Sequence, residues 1–275
     1  MIIRLLKIFI SVIYLLAKNI AIVLFKTQVN QQCVVIYYHS VLNKDKERFI
    51  RQLNYLSNKY CFVSLNSLST ITSRKNLISI TFDDGLSSII KNALPELIKR
   101  KIPTTIFIPA AKIGSYPKWE QKRQEIYSDD RILNQDEIKE LSDQGIEIGS
   151  HTLHHTDLRN VTSEVARDEF DLSKSYLEEI TGKEVVSFSF PYGSYNDELI
   201  NLAFDYGYSF VYTTEPEEIS LPTKRKIFGR IGVDPDDLLF EFKLKAAGAY
   251  SWLPKASIWK TKIKKSFLLK TEKKT

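Results

Sequence analysis

Short apolar runs of strand character alternate along the chain with longer stretches in which apolar residues recur every third or fourth position. Residues 34–38, 60–65, 78–82, 104–109, 146–149, 185–190 and 209–213 read as strands. Helical spacing lies between them: Phe49, Leu53 and Leu56 within 47–60, then 89–101, 134–145, 162–181 and 199–206. Asn134 and Glu137 form a capping-box pair at the start of the third helix, and Gly145 stops it. This β-α-β rhythm predicts a parallel sheet with helices packed against it. Residues 111–132 break the rhythm with Lys, Glu, Gln and Tyr around Trp119, a length of connection that is usually functional or mobile.

The two ends of the chain follow a different pattern. Residues 1–26 are mostly apolar, but the longest uncharged run, 8–17, is too short to span a bilayer comfortably. Arg4, Lys7, Ser11, Tyr14 and Lys18 step by three and four, so on a helix they form one polar stripe in an apolar surround. That predicts an amphipathic helix in a membrane interface, with a signal-anchor or a cleaved signal peptide as alternatives. From Phe242 onward ten Lys stand against one Glu, a net of +9 in a chain of +6, which leaves −3 for residues 1–241. Trp252 and Trp259 sit among those lysines with Ile258, Ile263 and Phe267, a composition suited to an anionic membrane surface. No nucleic-acid fold signature accompanies the tail, so no nucleic-acid partner is expected.

At 275 residues, 43% hydrophobic and 26% charged, the chain can bury a substantial core. The expected division is a membrane-interface helix at 1–26, one catalytic domain at 27–245 and a basic tail rich in Trp and Lys at 246–275, in a monomer. Cys33 and Cys61 are the only cysteines and match no nucleophile or zinc pattern. Two thiols suit a reduced compartment and lean towards the cytoplasmic face of a membrane, with a disulfide between them as the alternative.

The strand runs stop on chemically capable residues. Residues 78–82 end in Asp83, Asp84 and Gly85. A buried strand delivers such residues to its C-terminal mouth, and neighbours there point apart, so one carboxylate can hold a metal while the other takes a proton. Read alone, Asp-Asp-Gly is equally a turn. His151, His154 and His155 bring three of the four histidines into five positions. His151 would share a helical face with His155, or equally with His154, and two imidazoles with Asp84 would leave coordination positions open for water. Spacing does not choose between His154 and His155, and a solvated histidine cluster is the alternative. Residues 185–190 stop at Pro191-Tyr192-Gly193, a turn able to offer Tyr192 and its backbone N–H as an oxyanion donor. The fourth histidine, His39, ends strand 34–38.

Together and in this order the motifs resemble the polysaccharide deacetylase superfamily (NodB homology, carbohydrate esterase family 4) over about residues 33–240. Thr81-Phe82-Asp83-Asp84-Gly85 is similar to its first motif, His151-Thr152-Leu153-His154-His155 to its second, and Phe190-Pro191-Tyr192-Gly193 to the core of its third. The resemblance implies an α/β fold, an irregular (β/α)7-type barrel, and a metal-dependent hydrolase that removes acetyl groups from N-acetylhexosamine units. It implies Asp83 as general base and Asp84, His151 and His155 as ligands of a divalent metal, zinc first, with nickel or cobalt also fitting.

Two departures stand out. The arginine that usually precedes the third motif's proline and orients the base is absent, with Ser187 and Ser189 nearby instead. The late histidine that supplies the acid is absent too. Tyr38-His39-Ser40-Val41 resembles the signature of a branch that includes poly-N-acetylglucosamine deacetylases, in which an early strand supplies that acid, so His39 takes the role and all four histidines belong to one site. Pro191, Tyr192, Trp119 and Arg230 are the expected substrate contacts, Trp119 and Tyr116 by stacking on sugar rings, and Arg230 alternatively by orienting Asp83. The expected partners are an N-acetylated glycan or lipid-linked sugar and a membrane surface. A catalytically silent glycan-binding module, or a deformylase of a lipid-linked amino sugar, is the alternative function.

Overall fold

The computed structural model describes residues 2–25, 31–67, 76–119, 130–254 and 256. Its strands are β1 (Gln32–Tyr38), β2 (Cys61–Phe62), β3 (Leu77–Phe82), β4 (Thr104–Ile108), β5 (Glu147–Ser150), β6 (Ser187–Ser189), β7 (Phe210–Thr213), β8 (Ile219–Ser220), β9 (Ile227–Gly229) and β10 (Ile231–Gly232). Its helices are α1 (Ile2–Leu24), α2 (Lys46–Lys59), α3 (Ser88–Asn92), α4 (Leu94–Lys99), α5 (Gln135–Asp143), α6 (Ser163–Thr181), α7 (Asp197–Asp205) and α8 (Leu239–Ala246). The sheet runs β10-β1-β3-β4-β5-β6-β7-β9, and every pairing along that path is parallel. β2 adds to β3 in parallel, and β8 to β1 antiparallel.

Only Arg230 separates β9 from β10, yet β9 pairs with β7 and β10 with β1. One short stretch therefore touches both edges of the sheet and nearly closes it into a barrel. Taken as a single strand it makes seven on the path, the (β/α)7-type architecture expected from the motifs.

Alternation along the strands sorts the side chains into two layers. Cys33, Val35, Leu77, Phe107, Tyr212 and Phe228 form one cluster inside the barrel. Val34, Ile36, Ile78, Ile80 and Phe82 point the other way and pack with Leu53 and Leu56 of α2 and Leu97 of α4. β3 and β4 are buried at every position, Ser79, Thr81, Thr104 and Thr105 included, because both faces of these central strands are covered. Both cysteines are free.

The helices differ from the periodicity in instructive places. The stretch 89–101 forms two helices, α3 and α4, parted at Ala93, because Pro95 in the first turn of α4 has no N–H to continue the α3 ladder. α5 carries the expected capping box, with reciprocal bonds of 2.8 Å between Asn134 and Glu137. Ala249 and Tyr250 join Leu244 in a cluster against which Ile8, Val12, Leu15 and Leu253 pack, so the folded body continues to 254 and includes α1. Ile258, Trp259, Ile263 and Phe267 lie outside the described residues.

Candidate active site

Strand ends meet at the C-terminal mouth of the barrel. β1 delivers His39, β3 delivers Asp83 and Asp84, β5 delivers His151, and β6 leads into the turn bearing Tyr192. With Tyr37, His155, Phe190 and Thr214 these line a cleft of about 130 Å³, room for a few waters or a small acyl group.

Backbone strain concentrates here. Among the described residues five non-glycine positions have positive φ: Asp84 at 67°, Thr152 at 68°, His155 at 62°, Tyr192 at 60°, and Lys101 at 53°. All but Lys101 lie in the loops of this cleft, and such conformations, at about 1–3 kcal/mol each, persist where surrounding bonds impose them. The turn at Tyr192 also needs Gly193, because a Cβ there would fall 1.8 Å from the Thr214 hydroxyl.

His151 and His155 do not share a helical turn. Residues 151–157 form a loop, and the left-handed residues Thr152 and His155 fold it so that both imidazoles meet Asp84. Their Nε2 atoms stand 3.7 and 3.2 Å from Asp84 Oδ1, and one ligand atom from each of the three residues lies within 4.8 Å of the others. Each ring is oriented by its other nitrogen: His151 Nδ1 donates to the Ser189 carbonyl at 2.7 Å, and His155 Nδ1 is hydrogen-bonded with the Tyr192 hydroxyl at 3.2 Å. That leaves the His151 Nε2 lone pair, and the Nε2 atom of His155, facing the carboxylate. Asp84 Oδ1 is buried without a hydrogen bond, a costly state for a carboxylate oxygen that a cation among these donors relieves. Burial acts to raise the Asp84 carboxyl, but His155, then His39 and His151, hold it well below the usual range. Burial pushes His151 down to about 4, so it is neutral and able to ligate at neutral pH.

Asp83 is held by Arg230. The guanidinium donates to Asp83 Oδ1 and Oδ2 at 2.6 and 2.8 Å, to the hydroxyls of Thr81 and Ser189 at 3.0 and 2.6 Å, and to the Thr213 carbonyl at 3.3 Å. It lies 4.6 Å from the Tyr37 ring and 5.1 Å from that of Phe107. Every N–H of the fork is used. Burial acts to raise the Asp83 carboxyl, and the Arg230 charge, with help from His151, overcomes it and holds the group lowered. Ser189 thus fills the gap in the third motif. Where an arginine would ordinarily reach in from this strand, a serine hydroxyl receives one from β9–β10.

Several residues expected to contact substrate are engaged by the protein itself or lie off the cleft. Arg230 is fully buried and has no surface to offer a sugar, and its contact is with Asp83. Pro191 is buried and does not line the cleft. One face of Trp119 is taken by His155, with ring centroids 4.1 Å apart and planes at 14°. Tyr116 lines a separate cleft with Ser88 and Arg131. His154 is outside the site and pairs with Glu169 at 2.8 Å.

Glu169 is the residue the sequence reading missed. On α6 it accepts the backbone N–H groups of Leu153 and His154 at 2.8 and 2.9 Å and the Thr156 hydroxyl at 2.9 Å, clamping the histidine loop from beneath. A signal existed, since Glu169 falls on the helix stripe of Ala166, Phe170, Ser173 and Leu177, all of them buried. Glu169→Gln is expected to weaken metal binding about 10–100-fold while α6 stays folded, measured by chelator competition alongside circular dichroism.

The polysaccharide deacetylase family model matches residues 70–211. YxkH of Bacillus subtilis (strain 168) is 27% identical over 221 residues, 76% of this chain and 74% of that protein. The poly-beta-1,6-N-acetyl-D-glucosamine N-deacetylase of Staphylococcus aureus is 27% identical over 180 residues, 62% of this chain and only 58% of that enzyme. Among solved structures, IcaB from Ammonifex degensii matches with a TM-score of 0.64 at 26% identity, covering 81% of this chain and 98% of that one. Since the matched family stretch takes in more than half of the sequence and carries both the aspartate pair and the histidine loop, the chain belongs to the polysaccharide deacetylase family.

Proposed function

We propose that the protein is a metal-dependent N-deacetylase acting on N-acetylhexosamine units of a surface polysaccharide or lipid-linked glycan at a membrane. The observation that carries this reading is the convergence of Asp84, His151 and His155 beside Asp83, with His39 facing the same cleft. A divalent ion held by those three, zinc first by donor type, supplies Lewis acidity towards water and an amide carbonyl. Asp83, ionised and fixed by Arg230, accepts the proton of the attacking water. The backbone N–H of Tyr192 steadies the oxyanion, and His39 protonates the departing amine. A C–O bond forms as water adds to the carbonyl, and collapse of the oxyanion then breaks the C–N bond, giving acetate and a free amino sugar. The staphylococcal relative, named for a poly-N-acetylglucosamine, supports the substrate class. α1 has the length and apolarity of a membrane anchor or signal sequence, which supports a glycan held at a membrane.

The test compares wild type with Asp84→Ala. Zinc, nickel and cobalt are quantified, and acetate is assayed from N-acetylglucosamine oligomers and lipid-linked N-acetylhexosamine. Near-stoichiometric metal in wild type, lost in the variant together with acetate release, is the expected result. A folded wild type without metal would reject the enzyme and leave a silent glycan-binding module.

A further inference from the structure

α1 is amphipathic in the reverse sense of an ordinary surface helix, because its polar stripe faces the protein. Arg4 pairs with Asp237 and Glu241 at 3.3 and 2.6 Å, and Lys18 pairs with Glu218. Ser11 is fully buried and accepts from Trp252 Nε1 at 3.0 Å. The face left outside carries eleven large apolar side chains between Ile2 and Phe25, each 50–80% exposed. A continuous patch of that size on a soluble surface marks an interaction site.

A second, smaller patch adjoins it. Leu238, Leu239 and Phe240, where α8 begins, are 63, 41 and 58% exposed. Asp237 and Glu241, which bracket this triplet in the chain, are the residues that hold Arg4, so the triplet stands beside the N-terminal end of α1. Arg48, which is 3.7 Å from Asp45, and Arg51 line one cleft with Leu238 and Leu239, and Asp236 and Asp237 line it too, the latter paired with Arg4 and Lys245. Consecutive exposed apolar residues beside arginines match the chemistry of an anionic lipid surface, with acyl chains for the first and headgroups for the second.

We infer that Leu238, Leu239 and Phe240 form a second point of entry into an anionic bilayer, working with the outer face of α1 and with Arg48 and Arg51 on the headgroups. The inference rests on the membrane reading of α1 proposed above. A single helix lying in an interface leaves its cargo free to roll about the helix axis. Here the helix is bonded to the domain along its length, and a second contact beside it, off its axis, fixes the roll. The cleft that includes Arg4, Asp237 and Lys245 of this footing also includes Ser40, the neighbour of His39, so a glycan anchored in the lipid has a polar approach towards the site.

The test uses the full chain with Cys61→Ser, Cys33 being buried, and an environment-sensitive NBD label at Leu239→Cys or at Phe9→Cys. Each protein is mixed with vesicles of phosphatidylcholine and phosphatidylglycerol, or of phosphatidylcholine alone, and circular dichroism confirms the fold of each labelled protein. Both labels are expected to brighten severalfold and shift blue, more strongly on the anionic vesicles. A response at position 9 alone overturns the second entry point and leaves α1 as a membrane helix. No response at either position overturns both. An equal response on phosphatidylcholine alone removes the anionic preference. A response at 239 that needs no vesicles and grows with protein concentration assigns the patch to a second copy of the chain and overturns the inference as well.

Discussion

Asp83→Asn is expected to lower acetate release by about 10²–10⁴-fold while the Asp84–His151–His155 cluster still binds metal. The amide keeps the size of the carboxylate but cannot take the proton of the attacking water. It also leaves the Arg230 charge buried and uncompensated, which costs about 3–5 kcal/mol of stability, so the assay belongs well below the lowered midpoint. Metal counting separates the base from the ligands: loss of metal together with activity would move Asp83 into the ligand set. The acid limb of the stability curve gives an independent check. A carboxyl lowered in the folded state contributes stability above its unfolded pKa, about 4, and loses that contribution as pH falls through the folded value. Wild type should therefore weaken below about pH 4 by an increment that Asp83→Asn lacks, measured by denaturant midpoints across that range.

What the sequence made legible was the set of polar groups that line the cleft, because scarce residues near the ends of apolar runs stand out. Asp83, Asp84, His151, His155 and His39 all line the cleft, the first three and His39 from positions just past strand ends and His155 from the loop after β5. How the histidines converge was not legible. A spacing of four invites a helix, and the chain instead places Thr152 and His155 in left-handed conformations that propensity disfavours. The missing arginine was visible as a gap, but its replacement lies 147 residues from Asp83 and reaches it only because β9 and β10 pair with opposite edges of the sheet. The polar stripe of α1 was likewise plain as a stripe. Its partners Asp237, Glu241 and Glu218 are 200 residues or more away, so which side it would meet depended on the closed barrel.

Arg230→Met is expected to remove about 3–5 kcal/mol of stability and to lower activity at neutral pH by about 10²-fold, for a reason that distinguishes positioning from mere packing. With the guanidinium present, its charge outweighs burial and Asp83 stays ionised. Without it, burial dominates, the carboxyl rises, and the base is increasingly protonated where the enzyme works. Activity of the variant should then recover in part as pH is raised, with the acid limb of its pH–rate profile displaced to alkaline values relative to wild type. Arg230→Lys keeps a charge but loses the fork that spans both Asp83 oxygens and reaches Ser189, so it should fall between the two, with a smaller alkaline displacement and a lower kcat. The profile, measured by acetate release at temperatures where each variant remains folded, carries the decision. A methionine variant that is destabilised yet keeps the wild-type pH dependence would confine Arg230 to closing the barrel. A displaced profile would make the arginine of β9–β10 the working substitute for the one absent from the third motif, with Ser189 as its seat.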